Sequence, residues 1–138
     1  MPSKDLAQNG APHAAGSCGV PVQCGGAGCA PLCAFVDTST LRVTERLPGW
    51  HGRYFHSASM TFAHYEFDRG ASIHEHFHPQ EEVWQVMEGE LEMTIDGVAQ
   101  IARAGMAGVV PPNVRHSVKA LTDGRALVVD HPARPEFS

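Results

Sequence analysis

From Thr40 onward the chain is a succession of short β-type runs, each closed by a turn signal, and no stretch carries the 3.6-residue period of a long amphipathic helix. The clearest run is Glu90 to Ile95, where Leu91, Met93 and Ile95 alternate with Glu90, Glu92 and Thr94, so one face is apolar and the other wet. Asp96-Gly97 follows, a pair suited to the two-residue hairpin turn in which both positions need positive φ, and it leads into Val98 to Ala102. Further runs are Met60 to Phe67, Glu82 to Met87, Ala107 to Val110, Arg115 to Ala120 and Arg125 to Asp130. Turn signals at Asp68-Arg69-Gly70, Glu88-Gly89, Pro111-Pro112-Asn113 and Asp123-Gly124 separate them. Short strands at this spacing predict an all-β fold, a sandwich or a barrel.

Residues 1–39 read differently. Positions 9–34 are crowded with Gly, Ala, Pro and Cys and have neither strand nor helix period, so this segment is expected to be an irregular N-terminal arm ahead of one domain at 40–138. A hydrophobic content of 43% in 138 residues is enough for a single core. All four cysteines, Cys18, Cys24, Cys29 and Cys33, lie in the arm, which leaves the domain without a disulfide framework. Their spacing lacks the paired C-x-x-C of most zinc sites, so a second metal centre there is the less favoured reading. Ten scattered Lys and Arg against a net charge of −5 form no basic stripe, which argues against nucleic acid as a partner. With no long apolar run and no signal-peptide core, a soluble cytoplasmic protein is expected, with a small molecule as ligand and no membrane contact.

His74, His76 and His78 recur at period two, so on an extended strand their side chains leave one face with neighbours about 6 to 7 Å apart, close enough for two to chelate one ion. Pro79 biases His78 toward the extended region. Glu82 follows on the same face as Trp84 and Val86, and Glu81 would serve instead if His74 and His76 were the chelating pair. His116 lies far along the chain beside Val118 and Ala120, so only closure of the sheet brings it near the others.

These residues resemble the cupins. The first cupin motif is matched at Gly70, His76, His78, Glu82 and Gly89, with every spacing kept, and the second at Gly105, Pro111 and His116. Two positions depart from it: Asn113 replaces a glycine and Ala120 replaces an Asn. Asn tolerates left-handed geometry, so the first change is mild, while the second alters hydrogen bonding near the site. The resemblance implies a cupin-like β-barrel, or jelly roll, holding one divalent transition metal ion on His76, His78, Glu82 and His116, and it commonly implies a homodimer. Fe, Mn, Ni, Zn and Cu all accept such ligands. The implied activity is that of a small metal-dependent dioxygenase or isomerase acting on an oxygen-rich molecule. A non-catalytic ligand-binding module is the alternative.

Around the ion, His74 is expected at the rim, Trp84, Phe62 and Met93 as apolar pocket candidates, and His64 as a candidate general base. The tail from Asp130 to Phe137 is similar to that of small cupins that act on unsaturated uronates, which implies that Arg134 faces a substrate carboxylate.

Overall fold

A computed structural model of the protein describes residues 35–137. A compact unit begins at Asp37, whose carboxylate caps the 3₁₀ turn Thr38–Thr40 by accepting from the Ser39 amide at 3.0 Å. Ten strands follow: β1 (Thr44–Leu47), β2 (Trp50–His56), β3 (Thr61–Phe67), β4 (Ser72–His76), β5 (Glu81–Glu88), β6 (Glu90–Ile95), β7 (Val98–Arg103), β8 (Ala107–Val110), β9 (His116–Ala120) and β10 (Gly124–His131). They form two antiparallel sheets, one in the order β1-β2-β3-β10-β5-β8 and the other β4-β9-β6-β7. Among the described residues no helix is long and apolar enough to cross a membrane. The architecture is the all-β fold that the turn spacing predicts, in the jelly-roll form that the resemblance implies.

Alternation along each strand decides which side chains meet. In β5, Glu82, Trp84 and Val86 point inward, and in β10 Ala126, Val128 and Asp130 do so. Leu91 and Met93 of β6 and Val118 and Ala120 of β9 face them from the smaller sheet. Each fully buried aliphatic or aromatic side chain contributes about 1.5–3 kcal/mol, so this shared interior dominates the stability. The outer face of the four-stranded sheet carries Glu92 and Lys119, while that of the six-stranded sheet carries Phe55 stacked on Phe62 at 4.7 Å.

The turns follow their chemistry. Asp96 (φ 51°) and Gly97 (φ 78°) close the β6–β7 hairpin, and Asn113 (φ 62°) adopts the left-handed geometry that a glycine otherwise supplies. Antiparallel pairing then sets the position of the site. It puts the start of β5 beside the end of β10, with Glu82 opposite Asp130, and the end of β4 beside the start of β9, with His76 opposite His116. All four residues therefore gather at one end of the sandwich.

Two turn glycines differ in their surroundings. Gly89 (φ 82°) sits where a Cβ would stand 2.3 Å from the Asp123 carbonyl oxygen, whereas Gly70 (φ 86°) has nothing within 4 Å. Gly70→Ala is expected to cost only the left-handed strain, about 1–2 kcal/mol. Gly89→Ala adds overpacking against backbone, typically about 1–3 kcal/mol more. Urea unfolding of the two variants checks this ordering, and equal losses would refute it.

Candidate metal centre

Three imidazoles and a carboxylate converge at this end of the fold. The ring of His116 lies 4.2 Å from that of His76 and 4.9 Å from that of His78, and His78 lies 5.6 Å from His76. Glu82, 4% exposed, reaches His78 Nε2 at 3.0 Å and His116 Nε2 at 3.5 Å. One ring nitrogen from each of His76, His78 and His116 lies within 4.8 Å of the others, the spacing of ligands around one ion.

The backbone settles which nitrogen faces inward. His76 Nδ1 lies 2.8 Å from the His74 carbonyl, His78 Nδ1 lies 3.1 Å from that of Gln80, and His116 Nδ1 lies 2.8 Å from that of Val114. A carbonyl oxygen only accepts, so each Nδ1 carries a proton and Nε2 is the nitrogen left to face the cluster. The Nε2 atoms of His78 and His116 are buried with no hydrogen-bond partner, although carboxylate oxygens stand at 3.0 and 3.5 Å. Three imidazole nitrogens and a carboxylate gathered in so small a buried space form a donor set for a cation. A divalent metal fits this donor set, and the three carbonyl tethers are the outer interactions that orient ligating imidazoles.

Glu82 is held from several sides. Burial pushes its carboxyl up, but the His116 and His78 rings, Asp130 and Trp84 close beside it outweigh that and hold it well below the usual carboxylate range. Trp84 Nε1 donates to Glu82 Oε1. Asp130, 3% exposed, moves the other way, to about 8, because of burial first and then the charge of and hydrogen bond with Glu82. Arg134 places Nη1 3.6 Å from Glu82 Oε2.

A cavity of about 290 Å³ opens beside the cluster, lined by His76, Glu82, Asp130 and Arg134 together with Trp50, Tyr54, Tyr65 and Phe137. His74 also lines it, as expected of a rim residue. Burial first, and then the neighbouring Tyr54, Glu82 and Asp130, push the Tyr65 phenol well above its ordinary value, so it stays protonated.

Other expected site residues lie elsewhere. Phe62 and His64 are on the outer face of β3, where Phe55 stacks on Phe62 and His64 lines a separate groove with Arg53 and Arg125. The correction follows from strand phase: Thr61, Ala63, Tyr65 and Phe67 take the inner positions, which sends Phe62 and His64 outward. Met93 is core, packed on Gly108 and bordering a different small cavity. Glu81 points to solvent while Glu82 points in. His74 and His78 do not share one regular strand, because β4 is irregular between Ile73 and His76 and ends there. The four cysteines lie outside the described residues.

Asp130, Tyr54 and Tyr65 are absent from the expected site. The inward phase of Ala126, Val128 and Asp130 carries a signal for the first, and Trp50-His-Gly-Arg-Tyr54 one for the second.

A family model described as "Cupin domain" matches residues 63–132, slightly more than half of the chain. The chain belongs to the cupin family. An RmlC-like cupin from Shewanella frigidimarina is similar over 75% of this chain and 95% of its own, with a TM-score of 0.71 and 28% identity. KdgF from a Halomonas species has the same fold over 77% of this chain and 99% of its own, with a TM-score of 0.72 and 23% identity. A Streptomyces cyaneus protein named "Polyketide synthase CurC" is 38% identical over 63 residues, a match that spans 45% of this cupin and 41% of that protein.

Replacing His76, His78, Glu82 or His116 by Ala should lower divalent-metal affinity by at least about 10-fold in this cupin without unfolding it, while His74→Ala keeps the ion. Metal content after gel filtration, read by elemental analysis, checks this. Full occupancy in two of the four variants would remove the assignment.

Proposed function

We propose that this cupin is a small metal-dependent enzyme that acts on an oxygen-rich small molecule, as a dioxygenase or an isomerase, with His76, His78, Glu82 and His116 as the ligands of one divalent transition metal. The observation that carries the reading is the set of three imidazoles fixed through Nδ1, with the Nε2 atoms of His78 and His116 facing Glu82 and with His76 and Glu82 lining an open cavity. When bound, a dication held by neutral imidazoles and one carboxylate keeps net positive charge and acts as a Lewis acid toward an oxygen ligand.

The residues of the chain do the rest. Glu82 supplies the buried negative charge, and Trp84 and Arg134 hold its two oxygens in place. Arg134, with 15% side-chain exposure, also brings a guanidinium into the cavity, suited to a substrate carboxylate or enolate oxygen. Aromatic walls exclude bulk water and favour a flat ligand. The name of the Streptomyces cyaneus relative agrees in kind, since a polyketide is an oxygen-rich carbon skeleton.

Metal-loaded protein, with Fe, Mn, Ni, Zn and Cu tested in turn, should convert members of a panel of small hydroxy acids, uronates and phenols. Turnover that consumes dioxygen assigns the dioxygenase, and turnover without oxygen the isomerase. Saturable binding with no conversion by any metal would instead make the chain a binding module.

We also propose a homodimer that covers the outer face of the six-stranded sheet, which carries Met87 and Val109, about half exposed, and, on other strands, the Phe55–Phe62 pair. Light scattering should give twice the chain mass at micromolar concentration, and a monomer mass would contradict it.

A further inference from the structure

The inner face of β2 reads Trp50, Gly52, Tyr54, and its middle position has no side chain. Gly52 lies opposite Tyr65 of β3 in the ladder. A Cβ on Gly52 would stand 2.4 Å from the Tyr54 hydroxyl oxygen and 2.5 Å from the carbon bearing it. The Tyr54 ring thus folds back over Gly52 and brings its hydroxyl to 3.3 Å from that of Tyr65. A side chain at position 52 would abolish this approach, so the glycine forms a seat for the ring.

Tyr65 is fixed just as firmly. Its ring meets Trp50 edge-on at 5.8 Å and stacks on Trp84 at 5.9 Å, and Trp84 in turn donates to Glu82. Phe137 stacks on Tyr54 at 5.3 Å and is held between the guanidiniums of Arg46 and Arg134 at 4.3 and 4.2 Å. Both phenols line the cavity beside Glu82 and Asp130.

Two hydroxyls that face only each other use one proton between them and leave the second without an acceptor. A separation of 3.3 Å is long for an O–H···O bond, which is best near about 2.7–2.8 Å. It suits a third oxygen that accepts from both, each at its preferred distance. We propose that Tyr54 and Tyr65 form a two-donor oxygen site that takes one oxygen, preferably anionic, of a flat carboxylate, enolate or phenolate ligand. The proposal rests on the metal-dependent reading above, because the ligand is held with its other oxygens toward the metal centre. Fixed donors stabilise charge on such an oxygen more than water does, since they need no reorganisation.

The probe is 4-nitrocatechol, added to the full-length chain loaded with Zn(II) and followed by its visible absorption. Tyr54→Phe and Tyr65→Phe should each weaken its binding by about 10-fold or more, with zinc content unchanged, as expected for loss of a hydrogen bond to a charged oxygen. Binding within twofold of wild type in both zinc-replete variants overturns the proposal, and so does failure of the zinc-loaded wild type to bind the probe. A crystal structure of the unsubstituted chain with zinc and probe gives a test independent of variant folding. A probe oxygen within about 3 Å of both hydroxyls upholds the pair, and a probe seated away from them overturns it. A wild-type chain that takes no zinc yet binds the probe through both tyrosines keeps the pair and refutes the metal centre.

Discussion

The buried carboxylate of Glu82 is the constraint around which this end of the molecule is organised. Moving a carboxylate out of water costs several kcal/mol even after relaxation, so its neighbours must return that energy. They do so from five directions: the rings of His78 and His116, the indole of Trp84, the guanidinium of Arg134, and Asp130. Asp130 is the informative member. Two carboxylates facing each other across a ladder repel if both ionise, and the pair resolves this by holding Glu82 charged and Asp130 protonated, with its carboxyl raised to about 8. A cation among the three imidazoles relieves the same strain more completely, which makes the donor set and the dication mutually supporting.

That arrangement is a product of sheet topology. Residues at positions 76, 78, 82, 116 and 130 are scattered over 55 positions of chain, yet antiparallel pairing brings strand starts next to strand ends. The Nδ1 tethers are equally a matter of backbone: each acceptor carbonyl lies two residues from its histidine. Local chain geometry therefore orients the rings, and the core of Trp84, Val86, Leu91 and Val118 holds the strands that carry His76, Glu82 and His116. The tethers of His78 and His116 come from the β4–β5 and β8–β9 connections, at Gln80 and Val114, while that of His76 lies within β4.

Much of this was legible in the residues. Period-two alternation at Leu91, Met93 and Ile95, the Asp96-Gly97 turn and the left-handed tolerance of Asn113 all correspond to the observed backbone. His-x-His with Glu82 and His116 could be singled out because their spacing matches the cupin motifs. Pocket residues were harder to identify, for a physical reason. Whether a strand residue faces the core depends on a phase that slips with one irregularity, and an aromatic in a β run looks the same on either face. Phe62 and His64 fell on the outer face while Tyr65, a position away, fell inside. Asp130 carried no motif at all, and only its in-phase neighbours Ala126 and Val128 mark it as inward.

The same phase argument explains why the cavity has an unlike lining. On one face of the six-stranded sheet, β2 and β3 send Trp50, Tyr54 and Tyr65 inward and β5 and β10 send Glu82 and Asp130, so aromatic and ionic side chains border the same cavity of about 290 Å³. Phe137, clasped by Arg46 and Arg134, borders the cavity and carries cationic charge to its rim. A ligand that satisfies such a lining pairs a flat apolar body with oxygens. Simple alcohols lack the body and plain hydrocarbons lack the oxygens. The spacing of the ionic and phenolic groups around the cavity is set by the four strands β2, β3, β5 and β10 rather than by any single side chain.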